Sequence, residues 1–380
     1  MNYFLTEEQQ AFKEVVKEFA EKNVKPYVRE LDEKQQVPVE IINQMYELGL
    51  GSVLIDEAYG GLGGSFMDFA IIVEELSKVC GAIALTIAGS MLGAIPIMKY
   101  GNEVQKEKYL KALAIGEKIG AFAISECNAG SDVGSMETTA EIKEDTLVLN
   151  GRKCWITNAQ IADIYVIIAK VLNARRTQFV AVLVEKGTEG FSFGKIEDKM
   201  GMRASKTGEL IFDKCEVSLS QVLGKVGDGI NIAMETLKLS RPIIGAQALG
   251  IAEGAFEDAM KYAKIRKQFG EKIFNFQSIQ HMLSDMYMQV EYSRHLVYHT
   301  CKLIDEGEKD FILESAMSKI VASDTAMKVT TDAVQIFGGY GCVCEYPMEK
   351  RMRDAKITQI YEGTNQILRN VVAKELRRKF

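Results

Sequence analysis

Proline is scarce. Only five occur in 380 residues, so few positions compel a helix to break and long helices are open to the chain. A basic excess is also missing. The 46 Lys and Arg face 52 Asp and Glu, a formal net charge of −6, which argues against nucleic acid or an anionic membrane surface as partner. The seven cysteines contain no CxxC pair, and an odd number in a chain this long fits free thiols in a reducing compartment. No run of about 18 uncharged apolar residues is seen, so no membrane span is expected. The longest candidate, Cys80 to Ile97, is rich in Gly and Ala and reads as a buried helix. The start, with Glu7 and Glu8, lacks the basic and apolar regions of a secretory leader, so a bacterial cytoplasmic location is expected ahead of the mitochondrial matrix. Histidines number three. His295 and His299 are spaced i, i+4, but Leu296 stands where HExxH needs Glu and a third ligand is lacking, so no metal is expected. What is plentiful is apolar: 47% of residues are hydrophobic, which excludes disorder and allows an ample core in two or three domains.

The apolar period changes twice along the chain. Thr6-Glu7-Glu8-Gln9 has the form of a capping box. Phe12, Val15, Val16, Phe19 and Ala20 then fall on one helical stripe. Helical patterning continues through Ile41–Leu48 and Phe66–Val79. From about residue 120 the runs are short and β-rich: 165–169, 179–184 and 209–212. Asn150-Gly151, between Thr146–Leu149 and Arg152–Thr157, has the composition of a type I′ hairpin turn. After Gly227-Asp228-Gly229 the helical period returns over roughly 231–266, 277–306, 310–337, 347–355 and 366–379. The order helices, strands, helices predicts an α+β chain. It has an N-terminal helical domain (1–119), a middle antiparallel barrel or sandwich (120–229) and a C-terminal four-helix bundle (230–380). No βαβ alternation supports a doubly wound sheet.

Several motifs are ambiguous singly. Gly60–Gly64 does not complete GxGxxG and reads as a helix–helix turn. Ser125–Asp132 combines hydroxyls, small residues and a sharp turn, and its N–H groups suit a phosphate or a polar ring edge. Trp155, the only tryptophan, is followed by Ile156-Thr157-Asn158 and suits a flat heteroaromatic ligand as well as a core. Arg266–Gly270 is either a helix C-cap or a phosphate clamp, and Gln335–Gly341 ends a helix in glycines that permit close backbone approach. Glu362, in Ile360-Tyr361-Glu362-Gly363-Thr364-Asn365-Gln366, is a credible general base if its pocket is dry.

Together, in this order and across essentially the whole chain, these motifs resemble the acyl-CoA dehydrogenase family. The stretch Met352 to Gln366 is the most specific. The resemblance implies FAD, a homotetramer and α,β-dehydrogenation of an acyl-CoA thioester, with electrons leaving to electron-transfer flavoprotein. Glu362 matches the base that removes the α-proton while a β-hydride passes to the flavin. Phe122, Ile124, Ser125, Ser131, Trp155, Ile156 and Thr157 match flavin contacts. Arg266, Gln268, Phe269, Gln277, Gln335, Phe337, Gly338 and Gly339 match positions that hold the FAD of a neighbouring subunit. Thr364 and Gln366 match further cofactor contacts. Ser131, Arg241, Tyr361 and Gly363 are expected at the substrate. The same resemblance admits the reverse reaction, an enoyl-CoA reductase working with electron-transfer flavoprotein.

Three departures stand out. Cys127 replaces the family's proline after Ser125-Glu126, which bears on loop rigidity. Lys238 stands where an acidic residue often precedes Arg241. Ile87-Ala88-Gly89-Ser90-Met91, resembling part of the acyl-pocket wall, is unusually small, which points to a wider pocket for a bulky or cyclic acyl group.

Overall fold

A computed structural model describes residues 5–174 and 176–380. Helix α1 (Glu7–Phe19) starts on the expected capping box: Thr6 Oγ1 accepts from the Gln9 N–H at 3.1 Å, and Gln9 Oε1 accepts from the Thr6 N–H at 3.2 Å. Val16, Phe19 and Ala20 are buried, whereas Val15, expected on the same stripe, is 53% exposed. Helices α2 (Val28–Lys34) and α3 (Val39–Glu47) lead through the glycine turn at Gly60–Gly64 into α4 (Phe66–Tyr100), followed by α5 (Glu103–Ala114). Two helices meet in α4 across Cys80, whose φ and ψ are non-helical. By length and composition α4 is apolar enough to cross a membrane, contrary to the reading that no such run exists. Some 94% of its most apolar window is buried inside the protein, the behaviour of a core helix.

Eight strands then form one sheet: β1 (Gly120–Ala123), β2 (Thr139–Lys143), β3 (Thr146–Thr157), β4 (Ile164–Val171), β5 (Phe179–Glu185), β6 (Phe191–Ile196), β7 (Thr207–Ser218) and β8 (Val222–Leu223). The order is β6-β7-β3-β2-β4-β5-β8, with β1 also paired to β4. Most pairings are antiparallel, but β1 and β2 each run parallel to β4.

The expected hairpin at Asn150-Gly151 does not exist. β3 runs straight through it, paired to β2 up to Asn150 and to β7 on both sides, with a bulge in the β7 ladder between Leu149 and Gly151. The turn lies earlier, at Glu144-Asp145, where Glu144 takes φ 49°. Asn-Gly serves the bulge instead: Gly151 has φ 141°, and a Cβ there would stand 2.6 Å from Thr138 Cα. Ladders on both sides of β3 outweigh the local turn preference. The two-residue turn with both central residues at positive φ occurs elsewhere, at Phe269 (52°) and Gly270 (83°). It joins β9 (Lys267–Gln268) to β10 (Glu271–Lys272).

The remaining helices are α6 (Gly229–Ile265), α7 (Gln277–Asp305), α8 (Ile312–Phe337), α9 (Met348–Ile357) and α10 (Asn365–Lys379), close to the spans read from periodicity. Pro242 lies inside α6, so it cannot donate to the Lys238 carbonyl one turn back. The Ser315 hydroxyl of α8 donates to that carbonyl instead, at 2.7 Å. Ala248, Ile251, Ala252, Ala255 and Ala259 of α6 are buried, and glycines beside them let α4 approach. A Cβ at Gly250 would fall 2.2 Å from the Glu74 carbonyl oxygen. Gly250→Ala is therefore expected to destabilise the fold by about 1–3 kcal/mol through overpacking, measured by denaturant unfolding; an unchanged midpoint would contradict the contact.

Candidate active site

The turn between α9 and α10 has an unusual backbone. Glu362 takes φ 57° and Gly363 φ 94°, both left-handed. Such a conformation is costly for a long side chain and marks a position that its surroundings over-determine. The Glu362 carboxylate accepts from the Ser240 hydroxyl at 2.7 Å, and the Glu362 carbonyl accepts from Arg241 Nε at 3.4 Å. Tyr361 donates to the Gln247 side chain, which in turn donates to the Gly81 carbonyl at 2.9 Å. Three residues of α6 thus grip the turn from one side, and one of them, Gln247, also ties it to α4.

Glu362, Tyr361 and Thr157 face one cavity of about 40 Å³. Phe69, Leu85, Ala88, Gly89, Leu92 and Ile95 of α4 line it, with Ser240, Ile243 and Ile244 of α6. These walls are almost wholly apolar. Burial accordingly pushes the Glu362 carboxyl above its ordinary value; the Ser240 hydrogen bond and the charges of Arg241 and Lys319 oppose the rise without cancelling it. A carboxylate made more basic in a dry cavity is suited to take a proton from carbon. Of the small segment 87–91, only Ala88 and Gly89 reach the cavity. Ser90 faces away, bonding Tyr46 at 2.9 Å and the Gly120 N–H at 3.0 Å. Phe69, Leu85 and Leu92 narrow the space that the small residues leave.

The other expected residues fall into three places. Phe122 and Ile124 are buried on and just after β1, and the Ser125 carbonyl accepts from the Cys154 N–H at 2.9 Å. A second bulge in β3, between Lys153 and Ile156, gives Trp155 φ 62° and turns its ring outward, 59% exposed, while Ile156 stays buried. Ser131 is exposed on the following loop and does not line the Glu362 cavity. Arg266, Gln268, Phe337, Gly338 and Gly339 do come together, around an open depression far larger than that cavity. Arg266 stacks there on Tyr340 at 5.5 Å. Phe269, Gln277 and Gln335 are exposed and are not among its lining residues. Thr364 caps α10 by accepting from the Ile367 N–H at 3.2 Å, and it shares a third depression with Gln366. Arg241 is buried beneath the turn.

The departures have structural answers. Glu126, not residue 127, pins its loop: its carboxylate accepts from Lys153 Nζ at 2.7 Å and from the Glu137 and Thr138 N–H groups at 2.6 and 3.0 Å. Burial would raise this carboxyl, but those hydrogen bonds hold it below the usual range. The Cys127 thiol lies 2.7 Å from that of Cys154. Lys238 pairs with Glu235 at 2.9 Å and sits 4.5 Å from the centre of the Phe311 ring.

Ser240 and Lys319 are site residues that the sequence reading missed. Ser240 had a signal, standing directly before Arg241. Lys319 had another: a lysine on a helix face with Ser315, Ala316 and Ser323, all of them buried.

Three family models match the chain: the N-terminal domain of acyl-CoA dehydrogenase over residues 6–117, its middle domain over 121–215 and its C-terminal domain over 227–377. The chain belongs to the acyl-CoA dehydrogenase family. A short-chain-specific acyl-CoA dehydrogenase of Clostridium acetobutylicum is 45% identical over 99% of this chain and all of its own length. An NADH-dependent acryloyl-CoA reductase of Anaerotignum propionicum is 44% identical over 100% of this chain and 97% of its own. Butyryl-CoA dehydrogenase of Megasphaera elsdenii superimposes with TM-score 0.96 at 44% identity, covering all of both chains. A chain from work on the electron-transferring flavoprotein of Acidaminococcus fermentans and flavin-based electron bifurcation reaches 0.95 at 47%, again over both full lengths. An acyl-CoA dehydrogenase of Bacillus anthracis complexed with FAD reaches 0.93 at 32%, over 99% of this chain and 68% of its own.

FAD is the family's cofactor, and the residues present fit it. Trp155 offers a bare indole face at a strand bulge two residues from Thr157, which lines the Glu362 cavity. In the open depression, a Cβ at Gly338 or Gly339 would meet nothing within 4 Å, so backbone is left free for a bulky group beside the Arg266 cation.

The raised Glu362 carboxyl carries a stability consequence. Ionising it in the fold costs free energy that begins above the unfolded value of about 4.3, grows until pH passes the folded value, and is then constant. Glu362→Gln keeps an acceptor for Ser240. Calorimetry should show it melting above the wild type at neutral pH, with the gap closing as the solution is acidified towards the free-glutamate value; a gap independent of pH would disprove the perturbation.

Proposed function

We propose that this chain is a short-chain acyl-CoA dehydrogenase in which Glu362 removes the α-proton of the thioester. One observation carries the reading: a carboxylate on a left-handed backbone opens into the same apolar cavity as Thr157, a residue of the expected flavin contact set. Bound FAD supplies the hydride acceptor for the β-carbon. The chain's own residues do the rest. Ser240 and Arg241 aim the base, the α4 and α6 side chains exclude water, and the low polarity strengthens each electrostatic contact. The narrowing by Phe69, Leu85 and Leu92 favours a short linear acyl group over a bulky or cyclic one, as does the likeness to the short-chain and butyryl-CoA enzymes.

Phe122, Ile124, Ser125, Ser131 and Trp155 to Thr157 would hold the flavin end of the cofactor, with Thr364 and Gln366 contacting it beyond the base. The depression around Arg266, Gln268 and Phe337 to Gly339, with Phe269, Gln277 and Gln335 at the surface, would hold FAD of a neighbouring subunit in a homotetramer. Ser131, Arg241, Tyr361 and Gly363 would flank the acyl-CoA. Electron-transfer flavoprotein is the proposed redox partner, and bacterial cytoplasm the proposed location, in line with bacterial relatives.

The acryloyl-CoA reductase relative favours a second reading, reduction of a short 2-enoyl-CoA with the same base acting as acid. Poising the enzyme with saturated and unsaturated esters, and comparing its flavin potential with that of each couple, separates the two directions. For the base itself, Glu362→Gln should retain FAD yet be bleached by butyryl-CoA under anaerobic conditions at least about 10³-fold more slowly than the wild type. Bleaching at the wild-type rate would remove Glu362 from the role.

A further inference from the structure

Lys319 lies on α8 and is wholly buried. Its ammonium donates to the Gly363 carbonyl at 2.8 Å and to Asn365 Oδ1 at 2.9 Å. Both acceptors are neutral, an arrangement that does little to offset the desolvation of a cation. The second acceptor is itself fixed: Asn365 Nδ2 donates to Ser323 Oγ at 2.9 Å and to Asp324 Oδ1 at 2.8 Å. Asp324 is in turn paired with Arg369 of α10 at 2.7 Å. Lys319 therefore ties the left-handed turn to α8, while Ser240 and Arg241 tie it to α6. The turn is held from two helices, with the Glu362 carboxylate between its anchors in sequence and chemistry.

We propose that Lys319 is a positioning residue for the base: its ammonium fixes the Gly363 carbonyl, and with it the direction of Glu362, and supplies a positive charge that favours the carboxylate. This rests on the reading of Glu362 given above. The charged groups facing Lys319 are Glu362 from the turn, Arg241 from α6 and Asp324 from α8 itself. Burial and Arg241 lower its proton affinity, to about 7, while Glu362 and Asp324 oppose them. The ammonium thus favours ionised Glu362 most strongly below that value, and its removal should lift the carboxyl further.

The test uses the FAD-loaded enzyme with butyryl-CoA and an artificial electron acceptor, comparing wild type, Lys319→Met and Lys319→Arg across pH. Lys319→Met is expected to lose about 10²-fold in kcat with KM nearly unchanged, and to move the acid limb of kcat/KM to higher pH. Lys319→Arg, which keeps the charge and the donors, should recover most of kcat and return the limb. If the Met variant fails to load FAD, Lys319→Gln, which still donates but carries no charge, is read by the same limb. An acid limb at the wild-type position in the uncharged variant, or no rescue by Arg, overturns the proposal. Wild-type enzyme that is not bleached by any short acyl-CoA overturns the reading of Glu362 instead.

Discussion

At Gly250 the backbones of α4 and α6 come so close that one methyl group would strike the Glu74 carbonyl, and the properties of the Glu362 cavity follow from that approach. The two helices supply most of its lining. Further along the two helices, the larger side chains of Phe69, Leu85, Ile243 and Ile244 converge on the cavity. That convergence makes the space dry. A dry space is what turns an ordinary glutamate into a base, since water can no longer solvate its charge.

Two desolvated glutamates show how far surroundings decide chemistry within one fold. Glu74 is as inaccessible as any group in the protein, and burial alone would raise it. Yet Lys13 at 2.8 Å, Arg294 at 3.5 Å and the Tyr298 hydroxyl at 2.7 Å hold it down to about 2. It stays ionised and joins α1, α4 and α7. Glu362 has a hydroxyl, a guanidinium that bonds its carbonyl instead of its carboxylate, and a lysine that bonds the next residue. Compensation is deliberately incomplete in geometry, so the carboxyl remains raised. The first arrangement builds structure; the second keeps a proton acceptor available.

Element types and helix spans were legible in the sequence because periodicity reports burial directly, as in the alanine stripe of α6. The turns were legible in composition but not in place. Asn150-Gly151 became a bulge because strands on both flanks kept β3 extended, whereas Phe269-Gly270, with an aromatic at a position that usually rejects one, makes the tight turn. Proline scarcity pointed to long helices, yet Pro96 and Pro242 lie inside the two longest; a helix tolerates the break where a neighbour satisfies the freed carbonyl. Glu362 was readable from its motif. Ser240 and Lys319 left only weak local signals, since their partners are 122 and 44 residues away and sequence neighbours do not encode such contacts.

The bond from Ser315 to the Lys238 carbonyl has a mechanical meaning. Packed side chains resist separation of two helices but allow them to slide past one another along their axes. A directional bond from a side chain of one helix to the backbone of the other acts as a registration pin against that sliding. Here the pin sits within about one turn of Ser240 and Arg241 on α6 and of Lys319 on α8. The groups that face Glu362 therefore share an axial origin, and shear between the helices elsewhere along their length is taken up away from the site.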